Sequence, residues 1–224
     1  MINEYKTIYE YGEDEQIIQK SRFIAYAKPV KTEEEAITFI NSIKEQHKTA
    51  THNVPVYVLG QNYEVQRYSD DGEPSGTAGL PILDMIKREE IKDMAIVVTR
   101  YYGGTKLGTG GLVRAYTSTA KLGINKSQVI NKVLHDFVKI RIEYTLLGKM
   151  QNEIMNNNYI IKDTEFDDGV NIYVYSKVDE TEKLDNIVKN VTNGKTKTQI
   201  LDTLYLDKLQ DEIKFKEQGY YIKK

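Results

Sequence analysis

Residues 68–79 and 100–116 hold most of the side chains able to do chemistry. The first stretch reads YSDDGEPSGTAG and carries Asp70, Asp71 and Glu73 in a loop that runs into a helix. The second reads RYYGGTKLGTGGLVRAY, with glycines at 103, 104, 108, 110 and 111 among Arg100, Lys106 and Arg114. So many glycines cost conformational entropy on folding and permit close backbone approach, more than a loop needs merely to turn. A strand that enters such a loop and leaves as a helix presents unpaired N–H groups at the helix start, where the dipole favours an anion. Arg100, Lys106 and Arg114 add cationic donors for a phosphate.

The loop matches neither nucleotide fingerprint. Val113 stands where Gly-x-Gly-x-x-Gly needs its last glycine, and no Gly-Lys-Ser/Thr string closes a P-loop. A nucleic-acid backbone or another phosphate-bearing ligand fits the composition better. The expected anion-binding set is Arg100, Tyr101, Tyr102, Gly103, Gly104, Lys106, Gly108, Gly110, Gly111 and Arg114. Tyr101 and Tyr102 either stack on bases beside the positive charge or cover the core with their rings. The glycines also suit tight helix–strand packing.

An enzyme would use His52 as general base, with Asp70 or Glu73 orienting it or acting as acid. Only three histidines and no His-Glu-x-x-His pair argue against a zinc hydrolase site, and the absence of cysteine rules out a thiol nucleophile. Ser69 and Ser75 lack the strand–turn–helix context of a nucleophile elbow. The acidic loop does not have calcium-loop spacing, and pairing with Arg100 or Arg114 is the reading its charges favour. No catalytic residue, metal or cofactor is assigned.

Charge is unevenly spread. Residues 1–90 carry ten Lys/Arg against sixteen Asp/Glu, residues 91–150 ten against three, and residues 151–224 eleven against fourteen. The positive block coincides with the glycine loop and favours an anionic partner there, although compensation between neighbouring elements gives the same pattern. No apolar run approaches the ~20 residues of a membrane span, and the N-terminus lacks a signal peptide's regions. With cysteine absent, a cytoplasmic protein without membrane partners is expected.

The elements that position these loops are legible in outline. Residues 5–11 and 15–19 read as strands joined by a turn at Gly12-Glu13-Asp14. Residues 22–30 alternate, with Phe23, Ala25 and Ala27 on one face and Ile24 and Tyr26 on the other. Thr32 and Glu35 form a capping box for a helix on which Ala36, Ile40, Ile43 and His47 share a stripe. Residues 54–60 and 64–68 pair as strands, 77–87 form a helix with Pro81 early, and 92–99 form a buried strand. A helix follows the glycine loop and ends at Gly123.

Beyond about 130–135 the order is strand 136–143, helix 145–157, strands 159–166 and 170–178 about the Asp167-Asp168-Gly169 turn, helix 180–191 and strand 198–206. This βαββαβ order is that of a split, ferredoxin-like module. The chain therefore reads as two α+β domains, 1–130 and 135–207, followed by a charged tail at 208–224.

Three runs resemble the signature of the YigZ family, the bacterial members of the IMPACT group. They are Tyr68 to Gly79, Val98 to Gly104 and Lys106 to Tyr116. Lys20-Ser21-Arg22-Phe23 and Ala50-Thr51-His52-Asn53 also look like family positions. Relatives commonly carry a cysteine after His-Asn where this chain has Val54. The resemblance implies an N-terminal IMPACT domain similar in fold to the second domain of a small-subunit ribosomal protein. It also implies a C-terminal ferredoxin-like domain similar to the last domain of elongation factor G. RNA or the ribosome is the partner so implied, in translation or its regulation, since eukaryotic relatives are linked to control of translation initiation under stress. A protein partner for the C-terminal domain is the remaining expectation.

Overall fold

In the computed structural model, which describes residues 2–209 and 212–214, the first unit spans Met1–Asn131 and the second Lys132–Lys224. The first contains β1 (Glu4–Ile8), β2 (Gly12–Ile18), β3 (Ser21–Pro29), α1 (Glu33–Gln46), β4 (His52–Leu59), β5 (Val65–Tyr68), α2 (Gly79–Arg88), β6 (Met94–Tyr101) and α3 (Gly108–Lys126). Strands β2 to β6 make an antiparallel sheet in the order β2-β3-β6-β4-β5.

Alternation along the central strands divides the core into two layers. Phe23, Ala25 and Ala27 pack with Val54, Val56, Met94, Ile96 and Val98 against α2 and α3. Ile24 and Tyr26 turn the other way and join Tyr57, Ala95 and Val97 under α1. Thr32 Oγ1 accepts from the Glu35 amide at 3.2 Å, while Glu35 Oε2 accepts from Lys31 N at 2.7 Å, one residue before the usual reciprocal bond.

Two glycines do other work than their sequence context suggests. Gly12 lies inside β2, not in a turn, and its missing side chain lets the strand lie against the backbone of Lys126 and Ser127. Gly123 is interior to α3, which continues to Lys126. A Cβ there would come within 2.7 Å of Ala25 Cβ, so this glycine sets how closely α3 approaches the sheet. The glycine loop is also shorter than its composition suggests, because β6 runs to Tyr101 and α3 begins at Gly108.

The second unit takes its first strand from β7 (Val129–Ile142) and continues with α4 (Leu147–Asn156), β8 (Ile160–Phe166), β9 (Val170–Lys177), α5 (Thr181–Thr192), β10 (Gln199–Leu209) and β11 (Glu212–Lys214). The sheet order is β11-β10-β7-β9-β8. Without the added β11, this places the fourth strand beside the first, then the third and the second, as in a ferredoxin-like βαββαβ module. Val138, Ile140, Ile172 and Val174 pack with Met150 and Ile154 of α4 and Leu184 and Val188 of α5. Within the tail expected over 208–224, residues 208–209 close β10 and 212–214 form β11. Residues 210–211 and 215–224 lie outside the described residues. No described helix is long and apolar enough to cross a membrane.

Replacing Gly123 by Val forces α3 away from Ala25. Overpacking of this kind costs about 1–3 kcal/mol. Urea unfolding should show that loss in the midpoint, and an unchanged midpoint would contradict the packing described.

Candidate functional site

The antiparallel register places Arg100 directly between two partners, His52 on β4 and Phe23 on β3. All three stand on the sheet face that carries α2 and α3. The Arg100 guanidinium lies 5.3 Å from the Phe23 ring centroid and 5.3 Å from that of Tyr102. Its Nη1 donates to Glu73 Oε1 at 2.7 Å. Tyr116 of α3 donates to the same oxygen at 2.7 Å, and His52 Nε2 stands 3.6 Å from it. Glu73 and Arg100 are 8% and 5% exposed, so this is a buried ion pair, with Arg100 Nε left without a partner among the described residues. Burial, then the bond to Glu73, pushes the Tyr116 hydroxyl far above its ordinary pKa, so it remains a donor.

The rest of the acidic loop acts on the backbone. Asp70 accepts from the amides of Gly76 (2.8 Å), Ala78 (3.1 Å) and Gly79 (2.8 Å), closing the start of α2 with its own carboxylate. Asp71 bonds Asn53 N at 2.6 Å and Lys44 Nζ at 3.0 Å, while its carbonyl accepts from His52 Nδ1 at 2.7 Å. That bond fixes the His52 tautomer, because a carbonyl can only accept. The loop makes this geometry with left-handed backbone at Asp71 (φ 47°) and Gly72 (φ 86°).

The three acid–base residues singled out for an enzyme are therefore divided. His52 and Glu73 meet beside Arg100, but Asp70 is committed to the α2 amides. The acid facing His52 is Glu73, and it is already held by Arg100 and Tyr116.

The expected anion-binding set divides as well. Arg100 is a correction: its charge is buried against Glu73, not offered to a ligand. Tyr101 is another, since its hydroxyl bonds His47 Nδ1 at 2.9 Å on the α1 side of the sheet. The Tyr102 amide donates to Thr51 Oγ1 at 3.0 Å and the Gly103 amide to Ser21 Oγ at 3.1 Å, so neither is open. Gly103 has no room for a side chain because it lies on the Lys20 backbone, where Gln19 (φ 44°) and Lys20 (φ 68°) form the β2–β3 turn.

From Gly104 onward the loop is different. Gly104, Lys106, Gly108, Gly110 and Arg114 are exposed, and Gly104 (φ 84°) and Gly108 (φ 70°) have no neighbour where a side chain would stand. Leu107, the N-cap residue of α3, makes no side-chain cap bond, and among the described residues no other side chain accepts from the first amides of that helix. Arg114 folds back so that Nη1 lies 3.6 Å from where a Gly110 Cβ would be, beside the first turn of its own helix. Two adjacent helix starts thus differ: α2 carries an internal carboxylate, and α3 has uncapped amides between Lys106 and Arg114.

Sequence reasoning missed Tyr116, Ser21 and Thr51 as supports, and Asp71 as the clasp on β4. Spacing alone gives no signal for them, because each acts through a contact between segments distant in sequence. His47, expected on the stripe of α1, closes that helix as its C-cap residue. It lies between Tyr26 Oη (2.6 Å from Nε2) and Tyr101 Oη, and burial lowers its pKa despite the opposing charge of Glu13.

Glu73→Ala strands the buried Arg100 charge, a loss of about 3–5 kcal/mol. Asp70→Ala removes only a cap, about 1–2 kcal/mol. Chemical denaturation that ranked them the other way would contradict the site. Because His47 is harder to protonate folded than unfolded, the unfolded chain takes up its proton first on acidification. Stability should therefore fall as pH drops below about 6.5, the ordinary histidine value. His47→Gln should flatten that slope in denaturation series run between pH 7 and 5.5.

Comparison with known proteins gives these loops a context. The model of the Impact N-terminal domain matches residues 19–124, and that of a domain of unknown function, DUF1949, matches residues 140–195. The IMPACT family member YvyE of Bacillus subtilis is 42% identical over 214 residues, covering 96% of this chain and 99% of that protein. The IMPACT family member YigZ of Escherichia coli is 35% identical over 151 residues, covering 63% of this chain and 74% of that one. A crystal structure described as a hypothetical protein aligns with a TM-score of 0.57 at 25% identity, over 90% of this chain and 99% of that chain.

Proposed function

The chain belongs to the IMPACT family, and from that premise we propose that it binds a polyanion, RNA or the ribosomal surface, at the start of α3 and acts in translation or its regulation. The observation that carries this reading is the contrast between the two helix starts. Asp70 supplies α2 with a carboxylate that accepts from its first amides, whereas α3 opens on Gly108-Thr109-Gly110-Gly111 with no side-chain acceptor on those amides among the described residues. Small residues there let a phosphate oxygen approach the amides, and the helix dipole favours its charge. Lys106 and Arg114 stand exposed on either side of that turn, in the block of the chain where cations outnumber acids ten to three.

The buried residues have a supporting role in this reading. Glu73, Arg100 and Tyr116 hold β6 and α3 to the acidic loop, so the amides are presented from a fixed frame. Tyr102, 46% exposed and backed by Arg100, offers a ring beside the same surface. The link to translation rests on family likeness.

Binding of RNA or ribosomes should weaken steeply with salt, because each neutralised phosphate releases counterions. Lys106→Ala and Arg114→Ala should each weaken it across all sequences and reduce the salt slope by about one. Affinity and slope unchanged by both substitutions in folded protein would refute this reading.

A further inference from the structure

Behind the first turn of α3, that helix and α2 border an open hollow of about 710 Å³. Gly111 belongs both to the uncapped turn and to the hollow's wall, so the two are continuous. The hollow is apolar at Met85, which is buried, and at Leu107, which packs on the core. Arg114 and Arg88, both exposed, stand among its lining residues, and neither has an ion pair among the described residues. Lys121 and Glu89 also line it and bond to each other at 2.8 Å, so that cation is satisfied from within.

Apolar surface between unpaired guanidinium groups suits a ligand that is flat and apolar in one part and anionic in the next. The volume falls within the ~300–1,000 Å³ of ordinary ligand sites, enough for a nucleobase and its ribose. A base paired within a duplex cannot enter such a concavity, whereas one in a single strand can turn in freely.

We propose that this hollow receives one unstacked base of a single-stranded nucleic acid whose phosphates lie over the start of α3 and against Arg114 and Arg88. The inference rests on the polyanion reading above and adds the strandedness of the ligand and the place of a base. Phosphates hold the strand by charge, and the base adds contacts that a bare backbone lacks. Arg88, at the end of α2, is a binding residue that the glycine motif gives no hint of.

The test uses the full chain and four labelled probes at one salt concentration: a single-stranded oligoribonucleotide, the same strand with abasic sites, a duplex and a free nucleoside monophosphate. Fluorescence anisotropy should give the intact strand about tenfold tighter binding than the abasic strand or the duplex, the size expected for burying one base against apolar and guanidinium surface. Ser118 is an exposed lining residue, and Ser118→Trp fills the hollow. It should bring the intact strand down to the abasic level and leave abasic binding unchanged. Should that variant not fold, Arg88→Ala serves instead and should weaken the intact strand severalfold more than the duplex. Equal binding of intact and abasic strands by the native protein would overturn the proposal while leaving the polyanion reading standing. So would a folded Ser118→Trp protein with native affinity, or a free nucleotide or an acidic apolar peptide that binds more tightly than the strand. Failure of every polyanion to bind at low salt would instead remove the reading beneath it.

Discussion

One carboxylate oxygen, Oε1 of Glu73, accepts from both Arg100 and Tyr116. Through it, the acidic loop, the end of β6 and the middle of α3 are fixed to one another inside the first unit. The pairing is costly to assemble, since both charges leave water, and costly to break, since either partner alone would be a stranded charge. Its weight therefore falls on geometry more than on net stability. The start of α3 lies two turns from Tyr116 and a short loop from Arg100, so the same bonds determine where the open amides stand.

Around this point the polar groups of the motif divide by task. Asp70, Asp71, Ser21 and Thr51 satisfy backbone donors that would otherwise be left unpaired near the core. Lys106, Arg114 and the glycines at 104, 108 and 110 are left outward. A motif that reads in sequence as one continuous binding loop is half framework and half surface. The division falls at Gly103, where the backbone rests on the β2–β3 turn.

Much of the fold was legible because it depends on local periodicity. Phe23, Ala25 and Ala27 against Ile24 and Tyr26 showed the two faces of β3, and Thr32 with Glu35 marked the start of α1. The βαββαβ order of the second unit followed from the same alternation of short strands and helices. Glycine was the main source of error, because a glycine that permits a turn and one that permits close approach look alike in sequence. Gly12 and Gly123 were both read as breaks, and both are contacts. In the site, charge balance suggested that the acidic and basic loops pair, and Glu73 with Arg100 do so. The same balance could not tell that this pairing removes Arg100 from the surface, because that follows from cross-strand register.

The most direct measurement is an amide NMR titration of the intact protein with a short single-stranded oligoribonucleotide. The account predicts that Gly108 to Gly111 shift on binding, while the amides of Tyr102 and Gly103, held by Thr51 and Ser21, and those of Gly76, Ala78 and Gly79, held by Asp70, stay in place. Saturable binding that leaves Gly108 to Gly111 unmoved would contradict it.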